Sequence, residues 1–230
     1  MTDYFNSLFK YVNDLSSEGF EKSYKYYKYF YKNLLPEDKN IKILDVGCGT
    51  GQFLYFLKKE DYKNYFGIDI SVEQIAFCKE HGITNVLDID AFEFLRNKKF
   101  NVIVLNDSLA NIKKERLFEY LKLIYNSLEN NGKLLIKTPN MANPLNLANR
   151  YSDITHDIGF TETSLRAALM MAGFKEVIMK GASYPAISFQ SFIAKTIEKF
   201  VNQILKFLLK IQGHGVYKIL DKSIIALALK

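Results

Sequence analysis

Hydrophobic positions fall into two registers along the chain. From residue 41 onward, short apolar runs alternate with stretches in which apolar residues recur every three or four positions. The runs predict strands at Lys42–Val46, Tyr65–Ile70, Asn85–Ile89, Asn101–Asn106 and Lys133–Thr138, with a sixth at Phe174–Lys180 and a last at Ser223–Leu229. The helical pattern predicts Gln52–Lys59, Val72–His81, Phe92–Asn97 and Lys114–Glu129 between them. Ser71 and Thr161 suit helix N-caps, and Gly82 and the Asn130-Asn131-Gly132 run suit helix C-termini. Strand-helix alternation builds a parallel sheet covered on both faces, because each crossover is right-handed and must cover one of them. The expected fold is therefore α/β, a doubly wound Rossmann-like sheet.

Two segments stand outside that alternation. Residues 1–40 are aromatic and helical in pattern, with Tyr24, Tyr26, Tyr27, Tyr29, Phe30 and Tyr31 crowded together and Pro36 closing the segment. We expect an N-terminal helical cover there and one domain over 41–230. Between the sixth strand and the last, residues 188–212 place Phe189, Ile193, Ile197, Phe200, Ile204, Leu208 and Ile211 at helical spacing, with Lys195, Lys199, Lys206 and Lys210 among the polar positions. Such an amphipathic insertion can pack on the sheet, form a homodimer contact or lie on an anionic membrane.

Composition narrows the function classes. A chain of 230 residues with 48% hydrophobic and 24% charged residues can bury one full α/β core and is not compositionally disordered. The net charge of +6 comes from scattered lysines, with arginine only at 96, 116, 150 and 166, so no nucleic-acid stripe is visible and no nucleic-acid partner is expected. Cys48 and Cys78 lack metal-ligand or disulfide-framework spacing, which suits a reducing compartment and no metal. The N-terminal MTDYFNSLFKYVND lacks signal-peptide character, and no apolar window spans a bilayer. A cytoplasmic protein is expected, with peripheral contact at the inner membrane face as the one elaboration.

The densest chemistry is in Ile41-Lys-Ile-Leu-Asp45-Val-Gly47-Cys48-Gly49-Thr-Gly51-Gln52, a buried strand opening into glycines at alternate positions. Absent side chains let backbone approach a ligand, and the turn delivers that ligand to a helix N-terminus. The third glycine of a dinucleotide fingerprint is replaced by Gln52. Asp69 lies 18 residues beyond Gly51 at the next strand end, close to the spacing at which a carboxylate meets ribose hydroxyls. Asp90 ends the third strand, with Asp88 a competitor two residues earlier, and Asn106 and Asp107 end the fourth at the same carboxyl edge.

This constellation resembles the class I S-adenosylmethionine-dependent methyltransferases, whose first motif commonly reads D-x-G-x-G-x-G. The resemblance implies a seven-stranded, mostly parallel sheet with the last strand antiparallel. It implies S-adenosylmethionine as cofactor and S-adenosylhomocysteine as product. Asp45 and the Gly47, Cys48, Gly49 and Gly51 loop would hold the methionine part, Asp69 and Ile70 the ribose, and Asp90, Ala91 and Phe92 the adenine, with Asn106 at the pocket mouth. Many relatives continue after the fourth strand into D-x-x-E-H, whereas this chain has Asp107-Ser-Leu-Ala-Asn111. A frequent histidine is thereby missing.

Methyl transfer is an in-line displacement, so a hydroxyl acceptor needs alignment and a base. Of the histidines, His81 lies at a helix end, His214 between glycines, and His156 in the long polar loop 139–160 after the fifth strand, beside Asp157. A histidine next to an aspartate can be oriented and kept basic, so His156 is the candidate base; Asp107 and Asp153 are alternatives, and a capping role for His156 stays open. Asn140, Asn143 and Tyr151 are candidate hydroxyl contacts and Arg150 a candidate phosphate contact. The run T-P-N-M-x-N-P, R-Y-x-D-x-T-H-D-x-G-F-T looks like a bacterial methyltransferase subgroup associated with cell-surface polysaccharide biosynthesis, which implies a glycan or sugar-phosphate acceptor in capsule or lipopolysaccharide formation. Methylation of a small metabolite or lipid such as a quinone precursor is the second reading, and a non-catalytic cofactor-binding subunit the third. The fourth strand lacks the N/D-P-P-aromatic motif of nucleobase amino-methylation, and neither cysteine has the Pro-Cys setting of cytosine C5 chemistry.

Overall fold

The computed structural model describes residues 10, 13–151, 153–183, 185–186, 188–213 and 217–230. His214 and part of the expected N-terminal cover lie outside the described residues. Two compact units make up the chain, one running to Asn106 with Asn126–Lys133, the other comprising Asp107–Tyr125 and Leu134–Lys230.

In the first unit, α1 (Ser17–Tyr31) starts where the Ser16 side chain accepts from the Gly19 N–H at 3.1 Å. Tyr24, Tyr27 and Tyr31 recur at helical spacing and meet α2 (Gln52–Lys59), with Tyr27 and Tyr31 rings 5.1 and 5.4 Å from Phe53 and Tyr24 6.1 Å from Phe56. The aromatic run is thus the covering face of a helix. Strands β1 (Lys42–Val46), β2 (Asn64–Asp69), β3 (Val86–Asp88) and β4 (Phe100–Asn106) alternate with α2, α3 (Val72–Glu80) and α4 (Ala91–Phe94). β1 pairs in parallel with both β2 and β4, and β2 with β3.

Several boundaries differ from the sequence expectation. The helix expected over Phe92–Asn97 is one turn, because Asp90 caps it at Ala91 and Asn97 turns left-handed at φ 59°. The helix expected over Lys114–Glu129 begins as a 3-10 turn at Lys114–Arg116 and runs as α5 only over Leu117–Asn126. The Asn130-Asn131-Gly132 run is not a helix cap. It lies inside β5 (Leu128–Pro139), where Asn131 has φ 61° and a Cβ on Gly132 would sit 2.8 Å from the Glu129 carbonyl. Asn-Gly serves a tight strand bend as readily as a helix end. Ser71 and Thr161 do cap their helices, and Gly82 follows α3 at φ 73°.

The second unit continues through the short α6 (Leu147–Tyr151), α7 (Glu162–Ala172), β6 (Glu176–Ala182), α8 (Phe189–Ile211) and β7 (Ser223–Leu229). β7, nearly all apolar and buried, runs antiparallel to β6 in register from Glu176 opposite Leu229 to Ala182 opposite Ser223. The seven strands follow the order β3-β2-β1-β4-β5-β7-β6, a Rossmann-like mixed sheet. The order reverses between β1 and β4, and in such sheets ligands bind outside the carboxyl ends at that crevice. Among the described residues no helix is long and apolar enough to cross a membrane.

Candidate functional site

The first unit brings the glycine loop and its acidic partners together. Gly47, Gly49 and Gly51 have φ values of 74°, 56° and 83°, a region that side chains with a Cβ rarely enter. At Gly51 a Cβ would also stand 2.8 Å from Ile83 Cδ1 and 3.1 Å from Cys78 Sγ. Gly47 and Cys48 donate their N–H groups to the Ile68 carbonyl, which ties the loop to the end of β2. Gly51 then opens α2 with no side-chain cap, leaving that helix terminus for a ligand to complete.

Asp45 is 1% exposed, and its Oδ1 has no hydrogen-bond partner. Burial, and secondarily the charge of Asp69, push its carboxyl up to about 8, against a hydrogen bond from the Asn106 side chain. Thr50 Oγ1 is likewise buried without a partner. Buried polar atoms are normally satisfied, so two orphans at one loop mark a place where an external group belongs. Asp69 Oδ2 accepts from the Gly49 N–H at 2.9 Å and Oδ1 from the Ser71 N–H at 3.0 Å. Burial raises its carboxyl as well, against the pull of the Ser71, Gly49 and Ile70 backbone N–H groups. The carboxylate retains acceptor capacity for a ribose hydroxyl.

The other expected cofactor residues lie in the same unit with distinct local roles. Asp90 is exposed and accepts from the Phe92 N–H at 2.8 Å, so one of its oxygens caps α4. Ala91 and Phe92 are half-buried and Ile70 is exposed. The Cys48 and Cys78 thiols are buried and approach the Gly49 carbonyl at 3.9 and 3.3 Å, so both help shape the turn. Asn106 accepts from the Tyr31 hydroxyl through Oδ1 at 2.5 Å. Sequence reasoning did not single out Tyr31 or Thr50; the Tyr24, Tyr27, Tyr31 spacing was the available signal for the first.

The expected acceptor residues lie in the second unit and separate into two groups. Asn140 is fully buried; its Nδ2 donates to the Ile219 and Asp221 carbonyls at 3.0 and 3.1 Å, and its Oδ1 accepts from the Ala142 N–H. Asn143 Nδ2 donates to the Leu220 carbonyl at 2.7 Å and its Oδ1 caps the turn at Leu145. Asn146 adds a bond to the Asn140 carbonyl. Asn140 and Asn143 fasten the loop to residues 219–221, a structural role beside the acceptor contact expected of them.

His156 borders a closely packed crease with Thr138, Met141, Arg150 and Ile158 that has no room for a water molecule. Arg150 donates to the His156 and Asp157 carbonyls at 2.6 and 2.8 Å, holding that stretch of loop while part of its five-donor fork stays available. The Asp157 carboxylate accepts from the Lys114 N–H at 2.7 Å, so it ties down the loop. Asp153 accepts from the Thr155 N–H and hydroxyl, Tyr151 is 73% exposed, and Asp107, at φ 58°, forms an ion pair with Lys137. Lys137 was missed, although a lysine inside the apolar run Leu134-Leu-Ile-Lys137 demands a partner. His81 stacks on Phe77 at the end of α3.

Comparison with known proteins places the chain among methyltransferases. Residues 20–178 match the family model described as a methyltransferase domain. The chain is 30% identical over 174 residues to carboxy-S-adenosyl-L-methionine synthase of Campylobacter hominis, covering 62% of this chain and 74% of that one. It is 34% identical over 152 residues to phosphoethanolamine N-methyltransferase 3 of Arabidopsis thaliana, covering 60% of this chain but only 29% of that protein. Among solved structures, a SAM dependent methyltransferase from Archaeoglobus fulgidus superposes with a TM-score of 0.67 at 25% identity, over 93% of this chain and 97% of that one.

Proposed function

The chain belongs to the class I S-adenosylmethionine-dependent methyltransferases, and from that membership we propose that it methylates a hydroxyl of a sugar or sugar-phosphate acceptor, with His156 as the base. The cofactor, when bound, supplies a methyl group activated on a sulfonium sulfur. The residues of the first unit fit it. Asp45 offers a buried, unpartnered carboxylate oxygen to a cationic donor, and Asp69 keeps acceptor capacity for a ribose hydroxyl. Asp90, Ala91 and Phe92 are the residues we assign to the adenine. The orphaned Asp45 oxygen beside the left-handed glycine turn is the observation that carries the donor half of the reading.

The acceptor half rests on residues 139–160. Transfer to a hydroxyl releases one proton, and the half-buried His156 imidazole is the group we assign to take it. Arg150 holds the His156 backbone in place and keeps N–H donors for an anionic group such as a sugar phosphate. Asp107, held by Lys137, is the second candidate base. The likeness of this loop to the polysaccharide-associated subgroup supports a sugar acceptor, in capsule or lipopolysaccharide formation.

A small metabolite or lipid precursor is the alternative, favoured by the 34% identity to a phosphoethanolamine N-methyltransferase. Incubation with cofactor labelled in the methyl group and a panel of nucleotide sugars, phospho-amines and quinone precursors separates the two. The reading expects label on a sugar hydroxyl; label confined to amines or quinols would replace it.

A further inference from the structure

The second unit carries an apolar surface that its own fold does not use. α8 runs 23 residues, opens with a reciprocal Ser188–Ser191 capping box, and has no buried residue. At 1.5 Å per residue it is about 35 Å long. Phe189, Phe200 and Phe207 are 79%, 68% and 63% exposed, and Ile197 and Ile211 are 58% and 66% exposed. These positions form one continuous stripe at helical spacing. Ala194, Glu198, Val201 and Leu205, on another side of the helix, are half-buried, so the stripe is not the side turned toward protein. A contiguous apolar surface of this length on a folded chain marks an interaction site.

Charge selects the partner. Lys199 and Lys210 are exposed along one edge of the stripe; Lys195 and Lys206 follow the same side of the helix but are half-buried, and Lys206 donates to the Lys218 carbonyl at 2.7 Å. Glu198 is the only acidic residue of α8, and it lies among the half-buried positions. An antiparallel pairing with a second copy would bring lysine edge against lysine edge, and a parallel one would set lysines against apolar residues; neither supplies a carboxylate. A long stripe of phenylalanine and isoleucine with lysines beside it instead matches a planar, anionic, apolar-cored surface. We propose that α8 is a peripheral membrane contact, lying flat on anionic phospholipid with its phenylalanines at the acyl boundary and its lysines among the headgroup phosphates. No helix among the described residues can cross the bilayer, so attachment is in the plane of the interface.

The test uses the full chain and needs no acceptor. Flotation with phosphatidylcholine vesicles, with and without about a third phosphatidylglycerol, should recover the protein only with the anionic vesicles, and recovery should fall with salt. Phe200→Glu together with Phe207→Glu should abolish recovery. Lys199→Gln together with Lys210→Gln should weaken it roughly tenfold or more, since each lysine near such a surface contributes about fivefold. All these side chains are exposed, so melting curves should match the parent. No binding of the parent to anionic vesicles, equal binding to neutral ones, or a solution dimer that Phe200→Glu dissociates would overturn the proposal.

Discussion

Asp45 gives the sharpest handle on the site, because its burial has a calculable consequence in the ligand-free protein. The carboxyl titrates near 3.8 when unfolded and about 8 when folded. Below 3.8 both states are protonated and the site imposes no penalty. Between the two values the unfolded chain releases a proton that the folded one retains, so stability falls by about 1.36 kcal/mol per pH unit. The loss levels off above about 8, where the folded carboxyl ionises too. From pH 5 to 8 the site therefore removes about 4 kcal/mol, a large share of a total of roughly 5–15 kcal/mol. For a chain of this size that corresponds to a fall of about 10 °C in melting temperature. Asp45→Asn keeps the shape and removes the titration. Thermal melts of both proteins, without cofactor, across this pH range are the assay. Asp69 titrates in both proteins, so their difference reports Asp45 together with its coupling to Asp69. Parallel curves for the parent and Asp45→Asn would refute the reasoning.

Other predictions follow from the same geometry. Asp45→Asn should also weaken cofactor binding by about 1.5–3 kcal/mol, the worth of a charge-assisted hydrogen bond, read by calorimetry at pH 8. His156→Ala should lower turnover by roughly 10²–10⁴ with cofactor affinity unchanged; full turnover with the true acceptor would remove His156 from the base role. Asn140→Ala should lower stability by about 2–4 kcal/mol, since it leaves the Ile219 and Asp221 carbonyls short of a donor, and a rise in acceptor KM without a change in melting would contradict the fastening role. Gly51→Ala should be destabilising by about 1–3 kcal/mol in chemical denaturation, from its φ of 83° and the contact with Ile83.

The sheet and the glycine turn were readable because their signals are local. β1, α2 and β7 fall at the residues that apolar runs and glycine spacing mark, and Ser71 and Thr161 cap where hydroxyls precede helical periodicity. The fastening role of residues 139–160 was not readable, for the opposite reason. Asn140 and Asn143 are polar residues in a polar loop, yet their partners at 219–221 lie some eighty positions away, a distance no spacing rule spans. His156 and Asp157 are neighbours in sequence, but the carboxylate turns to Lys114. The periodicity of α8 likewise announced an apolar stripe without saying whether anything covers it; that is legible only from the exposed phenylalanines.

The central claim is that the glycine loop, Asp45 and Asp69 hold S-adenosylmethionine. Calorimetric titration of the parent and of Asp69→Ala with S-adenosylhomocysteine tests it most directly. The account predicts one site per chain for the parent and at least roughly tenfold weaker binding for the variant, through loss of the ribose contacts. No binding to the parent, or equal affinity for both proteins, would contradict it.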